Sequence, residues 1–424
     1  MSVHYGGRGP GHIARAQGNR TDWIFTSGGL DGRITFTRAS SGTYFDSAGV
    51  MQTATTNTPR FNYAYNGSAW VAKGLLIEPA ATNLLLRSRE FDNASWYKVD
   101  TTVTANAATG VGGDATMDLC TEGSAGTSYI WQTATIAANS TNTFAIDLKR
   151  GNHDWVFVYM YESAFDGNSV RAWFNLATGA VGTVVNTGTG SGATASVRNL
   201  GNGIYRCILT GAINNSATGI AAQLFSASAS GEYGRVSGAT RYQDRAQLES
   251  GSVATSFIET TTATATRAAD VALISGTNFS NFFNPVEGAF VVECDSAAAP
   301  SSSVCPFAVS DGTTNNRMQV NANNGSAGFF VAVAGTAQAS IATGGSAPTA
   351  NTTFKRAAAY KLKDFAVSNN GSAAVTATSG TVPTVSQLSI GGLNTGSQLN
   401  GHVRRLTYYP VRLSDAQLVA LSTL

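Results

Sequence analysis

Between Trp155 and Asn175 the sequence holds two short runs in which aliphatic side chains alternate with aromatic and polar ones. Successive residues of a strand face opposite sides of a sheet, so Val156, Val158 and Met160 share one face and Trp155, Phe157, Tyr159 and Tyr161 the other. The next run repeats the division, with Ala172, Phe174 and Leu176 on an apolar face and a guanidinium, an indole and an amide, Arg171, Trp173 and Asn175, opposite. With both strands in one sheet, Trp155, Tyr159, Tyr161, Arg171, Trp173 and Asn175 line a shared outer surface. There, flat rings stack on sugar C–H faces and polar groups bond hydroxyls, which is lectin-like chemistry. Gln247 joins them by the same parity, because Ala246 and Leu248 take the inner face and leave Arg245, Gln247 and Glu249 outward. The alternative is that these aromatics are buried against a neighbouring module or a symmetry-related chain, since aromatic residues dominate interfaces as well as ligand sites.

Other chemistries find less support. Of the four histidines, His4 and His12 lie in a Gly-rich N-terminal stretch, His153 sits beside Asp154 in a turn, and His402 follows a glycine before the last strand. His153 and Asp154 read as a satisfied turn pair, and no G-x-S-x-G elbow accompanies them. Walker A, H-E-x-x-H and EF-hand patterns are absent, and doublets such as Gly391-Gly392 read as turn glycines. Cys120, Cys207, Cys294 and Cys305 are too few and too irregular for a disulfide framework or a paired-cysteine zinc site, and read as reduced core residues.

These candidates must be positioned by sheets. The chain has 424 residues, enough for several domains. Its 46 glycines, with dense Ser, Thr, Asn and Ala, favour turns and short strands. Charged residues are only 12% and the net charge is +2, which provides no clustered basic footprint for a phosphate backbone and argues against nucleic acid. No apolar run approaches the ~18 residues of a membrane helix, and the first twenty residues carry Gly, Arg and His where a signal peptide has its apolar centre.

Residues 1–30 are Gly-rich and basic, with Trp23 and Phe25 as anchors, and are expected to be an attachment or flexible segment. Residues 31–89 contain FTRASSGTYFDSAG and GLLIEPAATNLLL. Residues 90–259 show turn signals every eight to fifteen residues, the spacing of a β-sandwich. The Thr/Ala run 260–269 is expected to be a linker, and 270–424 to be a second set of strands. Near the end, a strand from Val403 to Tyr409 stops at Pro410. Ser414 then caps a helix, with Gln417 completing a capping box and Leu418 and Leu421 facing inward.

The FTRAS and GLLIEPA words resemble a module at the front of many bacteriophage virion fibre, head-spike and decoration proteins. NASW (93–96), GNGIYRC (201–207) and AQLE (246–249) resemble the carbohydrate-binding, galactose-binding-like sandwich that follows that module, with Ile204 where the family usually has Trp. LSIGGL and NGHVRRLTYYPVRLSDAQLVAL resemble the closing strand and helix of laminin G-like, concanavalin A-like domains. The resemblance implies an all-β chain: two tandem jelly-roll-type antiparallel β-sandwiches behind a small N-terminal attachment segment, with one short C-terminal helix. It further implies a non-enzymatic head spike, head fibre or tail fibre on the virion surface. Its partners would be other virion proteins and host surface polysaccharide, and it would be a homo-oligomer, commonly a trimer. Absence of a signal peptide suits assembly inside a host cell and release by lysis.

Two other readings stand beside adhesion. Capsid decoration would stabilise the shell without binding glycan. A depolymerase would need converging carboxylates. Glu293 and Asp295 share a strand face about 6.6 to 7 Å apart along the chain. The E-x-D-x-E motif of concanavalin A-like enzymes, however, has a third acid where Ala297 stands. Laminin G-like domains often use calcium, for which Asp295, Asp311 or nearby Asn315 would be oxygen donors; beyond that, neither a cofactor nor a metal is expected.

Overall fold

In a computed structural model the strand Thr141–Arg150 lies between Ile204–Ile213 and Thr240–Ser250, antiparallel to both. The model describes residues 20–424 except 125–126, 214–217, 298–303, 323–327, 345–347 and 394–395. The architecture is all-β, built from antiparallel sandwiches. The chain divides into two compact units, neither of them continuous. One contains residues up to Thr37, Lys73–Pro79 and Asp270–Leu424; the other contains Arg38–Ala72 and Ala80–Ala269. The boundaries of the compact units therefore do not follow the linear division at 31–89, 90–259 and 270–424. The short strands between residues 31 and 89 carry too little apolar surface to make a core of their own.

The unit formed by Arg38–Ala72 and Ala80–Ala269 contains two six-stranded sheets. In the first, Thr141–Arg150, Ile204–Ile213 and Thr240–Ser250 are flanked by Gly190–Asn199 on one side and by Ala115–Glu122 and Thr101–Thr109 on the other. The second runs Ala180–Thr187, Phe165–Asn175, Trp155–Glu162, Gly219–Ala227, Tyr129–Thr135, Tyr97–Val99. Between them Val156, Val158, Met160, Ala172, Phe174 and Leu176 meet Phe144, Ile146, Leu148, Leu209 and Leu248, all buried. This is the aliphatic face that alternation assigned to the core. One polar clamp crosses the same interior. Glu122 pairs with Arg241 and accepts the Ser226 amide, while Arg241 Nη1 donates to Ser226 Oγ at 3.3 Å. The pair ties the first sheet to the second with both side chains out of water.

The segments FTRASSGTYFDSAG and GLLIEPAATNLLL fall on positions with structural work. Asn83 is fully buried; its Nδ2 donates to the carbonyls of Ala246 and Ile258, and its Oδ1 accepts the amides of Leu85 and Leu248. Asp46 closes the hairpin between Gly42–Phe45 and Met51–Ala54 by accepting the Ala48 and Val50 amides. Gly49 in that turn has φ +80°, and a Cβ there would lie 2.0 Å from the Trp70 indole nitrogen. Residues 260–269 are not a free linker. Ala265–Arg267 pairs with Ala81–Asn83, and buried Arg267 donates to Thr255 Oγ1 at 3.0 Å. Threonine favours extended backbone as well as solvent, so a polar Thr/Ala composition does not by itself mark a linker.

The other unit stacks Glu287–Ser296, Gly401–Tyr409 and Phe354–Lys361 in one sheet against a second containing Phe307–Ser310, Gln387–Ile390 and Val271–Ser275. Phe290 and Phe307 meet between them, centroids 4.9 Å apart. Of the expected segment 1–30, residues 1–19, with His4 and His12, lie outside the described residues. The described remainder is anchored: Thr21–Ile24 pairs with Gly401–Tyr409, and Trp23 and Phe25 are buried. The helix Asp415–Ser422 has the expected capping box between Ser414 and Gln417. Leu418 packs on the alanines Ala289, Ala357, Ala359 and Ala366, whose small side chains let the helix approach the sheet.

Candidate functional site

The outer face of the second sheet in the Arg38–Ala269 unit carries the aromatic side chains that parity directed away from the core. Phe157, Tyr159, Trp173 and Phe225 form a second apolar cluster there, with Tyr129, Trp155 and Tyr161 at its margin. Solvent does not reach all of it. Trp173 is 0% exposed and Phe157 2%, because the segment 228–235 folds over them. Trp173 Nε1 donates to the Glu232 carbonyl at 2.8 Å, and the Tyr233 ring stands edge-on to both Trp173 and Phe157. Trp173 is thus the floor beneath the site, and its indole N–H is already taken.

Beside this cover a cavity of ≈ 340 Å³ opens on the sheet. Its walls include Tyr159 and Tyr161, stacked at 4.5 Å, and Tyr129, Phe225 and Tyr233. Two guanidinium groups and the Gln223 amide add polarity. Arg171 lies over the rings of Tyr159 (4.8 Å) and Tyr233 (5.3 Å). Its Nε donates to Ser169 Oγ at 2.8 Å, Nη1 to Tyr233 Oη at 2.9 Å and Nη2 to Tyr159 Oη at 3.3 Å. Arg235 lies 4.2 Å over Phe225 and 5.1 Å over Tyr129, and burial lowers its pKa. Such cation–π contacts fix both arginines in place.

Of the seven residues singled out from the sequence, Tyr159, Tyr161 and Arg171 meet in this cavity and Trp173 supports it. Trp155 is half-buried on the same face, near Gly182 and Ser230. Asn175 serves the turn after its strand, its Oδ1 accepting the Ala177 and Thr178 amides. Gln247 does not join the surface. It lies in the other sheet, 0% exposed, with Nε2 donating to Glu249 and Oε1 accepting the Ile258 amide. Its parity is as expected, but parity assigns a face and says nothing of what covers it; here the segment after Ser250 does. Gln223 and Phe225 were legible by the same rule, since Ala222 and Leu224 point into the core between them. Tyr233 and Arg235 sit outside the named strands, where periodicity carries no signal.

Glu293 and Asp295 are not a cooperating pair. The strand Glu287–Ser296 is continuous, and the register shift falls on its partner, where Arg404 is the extra residue, so Arg404 and His402 are brought to the two acids and each carboxylate is engaged separately. Glu293 is held by Arg404 at 3.0 Å and Lys355 at 3.6 Å. Asp295 is buried against Lys73 Nζ at 2.8 Å and His402 Nδ1 at 2.7 Å. Burial alone raises the Asp295 pKa, but the His402 and Lys73 charges and hydrogen bonds outweigh it and hold the carboxyl well below the usual range. Since the folded value lies below the unfolded ~3.9, this stabilisation is full at neutral pH and disappears as pH falls through and below about 4. Asp295→Asn is therefore expected to destabilise the chain by about 1–3 kcal/mol at pH 7. The deficit against wild type should narrow progressively as pH falls below about 4; a deficit unchanged by acid would refute the linkage.

Asp311, the other carboxylate considered for calcium, accepts from Thr313 and Asn316 within its own loop. Among the described residues no three His, Cys, Asp or Glu side chains gather as a metal-binding group. His153 bonds the Ala227 carbonyl and Asp154 pairs with Arg150, so the expected turn pair is two separately satisfied residues. The four cysteines are buried free thiols, and burial pushes Cys120 and Cys305 up to about 12.

Fold and site together define an all-β sandwich with an aromatic, arginine-bearing cavity on one outer sheet face. No family model and no curated protein matches the chain. Among solved structures it is similar to the CBM40 domain of a Ruminococcus gnavus sialidase bound to α2,3-sialyllactose, at 15% identity over 34% of this chain and 87% of that one, TM-score 0.26. It is also similar to domain 4 of AbnA, an extracellular arabinanase from Geobacillus stearothermophilus, in complex with arabinotriose (11%, 41% and 82%, 0.27). A third is Trypanosoma rangeli sialidase in complex with 2,3-difluorosialic acid (10%, 88% and 67%, 0.28). Likeness at this level defines no ligand.

Proposed function

We propose that this chain is a non-enzymatic surface protein of a bacteriophage particle, a head spike, head fibre or tail fibre, that holds host-cell glycan in the Arg38–Ala269 unit. The observation that carries the binding half of this reading is the cavity in which Tyr159, Tyr161 and Arg171 converge. Aromatic walls with a few fixed polar groups are the usual make-up of small-ligand sites, and stacked tyrosines offer flat faces to sugar rings. The virion half rests on the resemblance of the FTRAS and GLLIEPA words, with attachment through the N-terminal part. Binding rather than cleavage fits Glu293 and Asp295, each engaged by cations. Weak sites would act together on a particle, where avidity rises ~10²- to 10⁴-fold, and a homotrimer suits that logic.

The test is sedimentation of the purified chain with a panel of intact bacteria and with their extracted surface polysaccharide. A Tyr159→Ala, Tyr161→Ala variant, checked for fold by circular dichroism, serves as the control. Binding by wild type and at least a tenfold loss in the folded variant are expected. Undiminished binding in the variant would move the site elsewhere, and no binding by wild type would favour capsid decoration.

A further inference from the structure

The strand register extends the cavity into a row. Tyr97 pairs with Trp131, Trp131 with Gln223, Gln223 with Tyr159 and Tyr159 with Arg171, so these five residues lie abreast on consecutive strands. Directly paired residues of neighbouring strands point to the same face. Four strand spacings carry the row about 19 Å across the sheet. At its far end Tyr97 is 57% exposed and stacks on half-buried Trp131 with centroids 4.8 Å apart. One end of the row is thus an open aromatic platform and the other the cavity, with Gln223 between.

Charge is distributed unevenly along it. The cavity end has two guanidinium groups, Arg171 and Arg235, and no carboxylate among its lining residues. Glu122, which acts electrostatically on Arg235, is engaged by Arg241. Three of the five Arg171 N–H donors are used by Ser169, Tyr233 and Tyr159, and two have no partner among the described residues. Resting on the proposed glycan reading, we infer that the row is an extended cleft for an acidic oligosaccharide. A sugar carboxylate is held at Arg171 and Arg235, and units further along the chain stack on Trp131 and Tyr97. Guanidinium suits a planar carboxylate because its donors form a matching fork.

The experiment uses the full chain in calorimetric titrations with three probes: a dimer and a hexamer of α-1,4-linked galacturonate, and the hexamer after its carboxyl groups are reduced to alcohols. The native hexamer is expected to bind at least tenfold more tightly than its reduced form, with the difference shrinking at high salt and vanishing in Arg171→Gln. Arg171→Lys, which keeps the charge, should retain part of it and guards against a folding defect. Tyr97→Ala with Trp131→Ala should weaken the hexamer several-fold and leave the dimer unchanged. Equal binding of native and reduced hexamer would overturn the carboxylate assignment and leave glycan binding intact. Equal loss for dimer and hexamer in the aromatic variant, or no loss, would overturn the extended row. Binding of no probe by a chain that still binds extracted polysaccharide would sink the acidic cleft alone, whereas loss of both would sink the glycan reading with it.

Discussion

Arg241→Met, with Glu122 left in place, is expected to destabilise its unit by about 3–5 kcal/mol, because a carboxylate with no exposed surface loses its cationic partner. The pair sits inside a sandwich whose other interior contacts are mostly aliphatic, so water cannot easily replace the guanidinium. The companion variant Glu122→Leu, Arg241→Met removes both charges and should recover most of the loss. Hydrogen exchange of the amides in Thr240–Ser250, in the full chain, reads the effect on this unit directly. A loss under about 1 kcal/mol in the single variant would mean that Glu122 finds another partner or solvent when Arg241 goes.

Trp173→Ala should cost a comparable 3–5 kcal/mol, the usual range for truncating a buried aromatic side chain. The damage should be local as well, since the indole supports Phe157 and Tyr233 and its N–H holds the Glu232 carbonyl. Proteolytic nicking within 228–235 should rise together with the loss of stability. Trp173→Phe keeps most of the contact area and loses the hydrogen bond, so a penalty of about 1 kcal/mol is expected. Equal effects of Ala and Phe would assign the whole contribution to the Glu232 bond. The result also bears on how the site is probed: a variant truncated at Trp173 loses binding through its fold, so Tyr159, Tyr161 and Arg171 are the informative positions.

That difference marks how far alternation reads. The faces of Trp155–Glu162 and Phe165–Asn175 followed from parity, as did the core made of Val156, Val158, Met160, Ala172 and Phe174. Cover did not, because it depends on segments distant in the chain or outside the strands. Gln247 disappears beneath the stretch after Ser250, and Trp173 beneath 228–235, although both point away from the core. Asn175 shows a second limit, since an amide at a strand end is claimed by the following turn. Asp295 shows a third, since the cations that claim it and Glu293, Lys73 and His402 for one and Arg404 and Lys355 for the other, come from strands distant in the chain. The capping box at Ser414 and Gln417 was legible because all its partners lie within four residues.

The interleaving of the two units also orders events on the ribosome. The strand Thr21–Ile24 is synthesised long before its pairing strand Gly401–Tyr409, with Asp22 and Thr407 separated by 385 positions. At ~5–20 residues per second the early strand waits roughly 20–75 s for its neighbour. During that interval Arg38–Ala72 and Ala80–Ala269 have been synthesised in full and can close their own sheets. A nascent chain in which the Arg38–Ala269 unit has closed still carries one open edge. That edge includes buried Trp23 and Phe25 and the Leu75–Ile77 strand end, which also pairs with Gly401–Tyr409. An open apolar edge is what chaperones recognise and what cross-pairing between neighbouring nascent chains exploits. Pausing translation before residue 400 should therefore leave that edge unpaired, and synthesis of Gly401–Tyr409 supplies its partner.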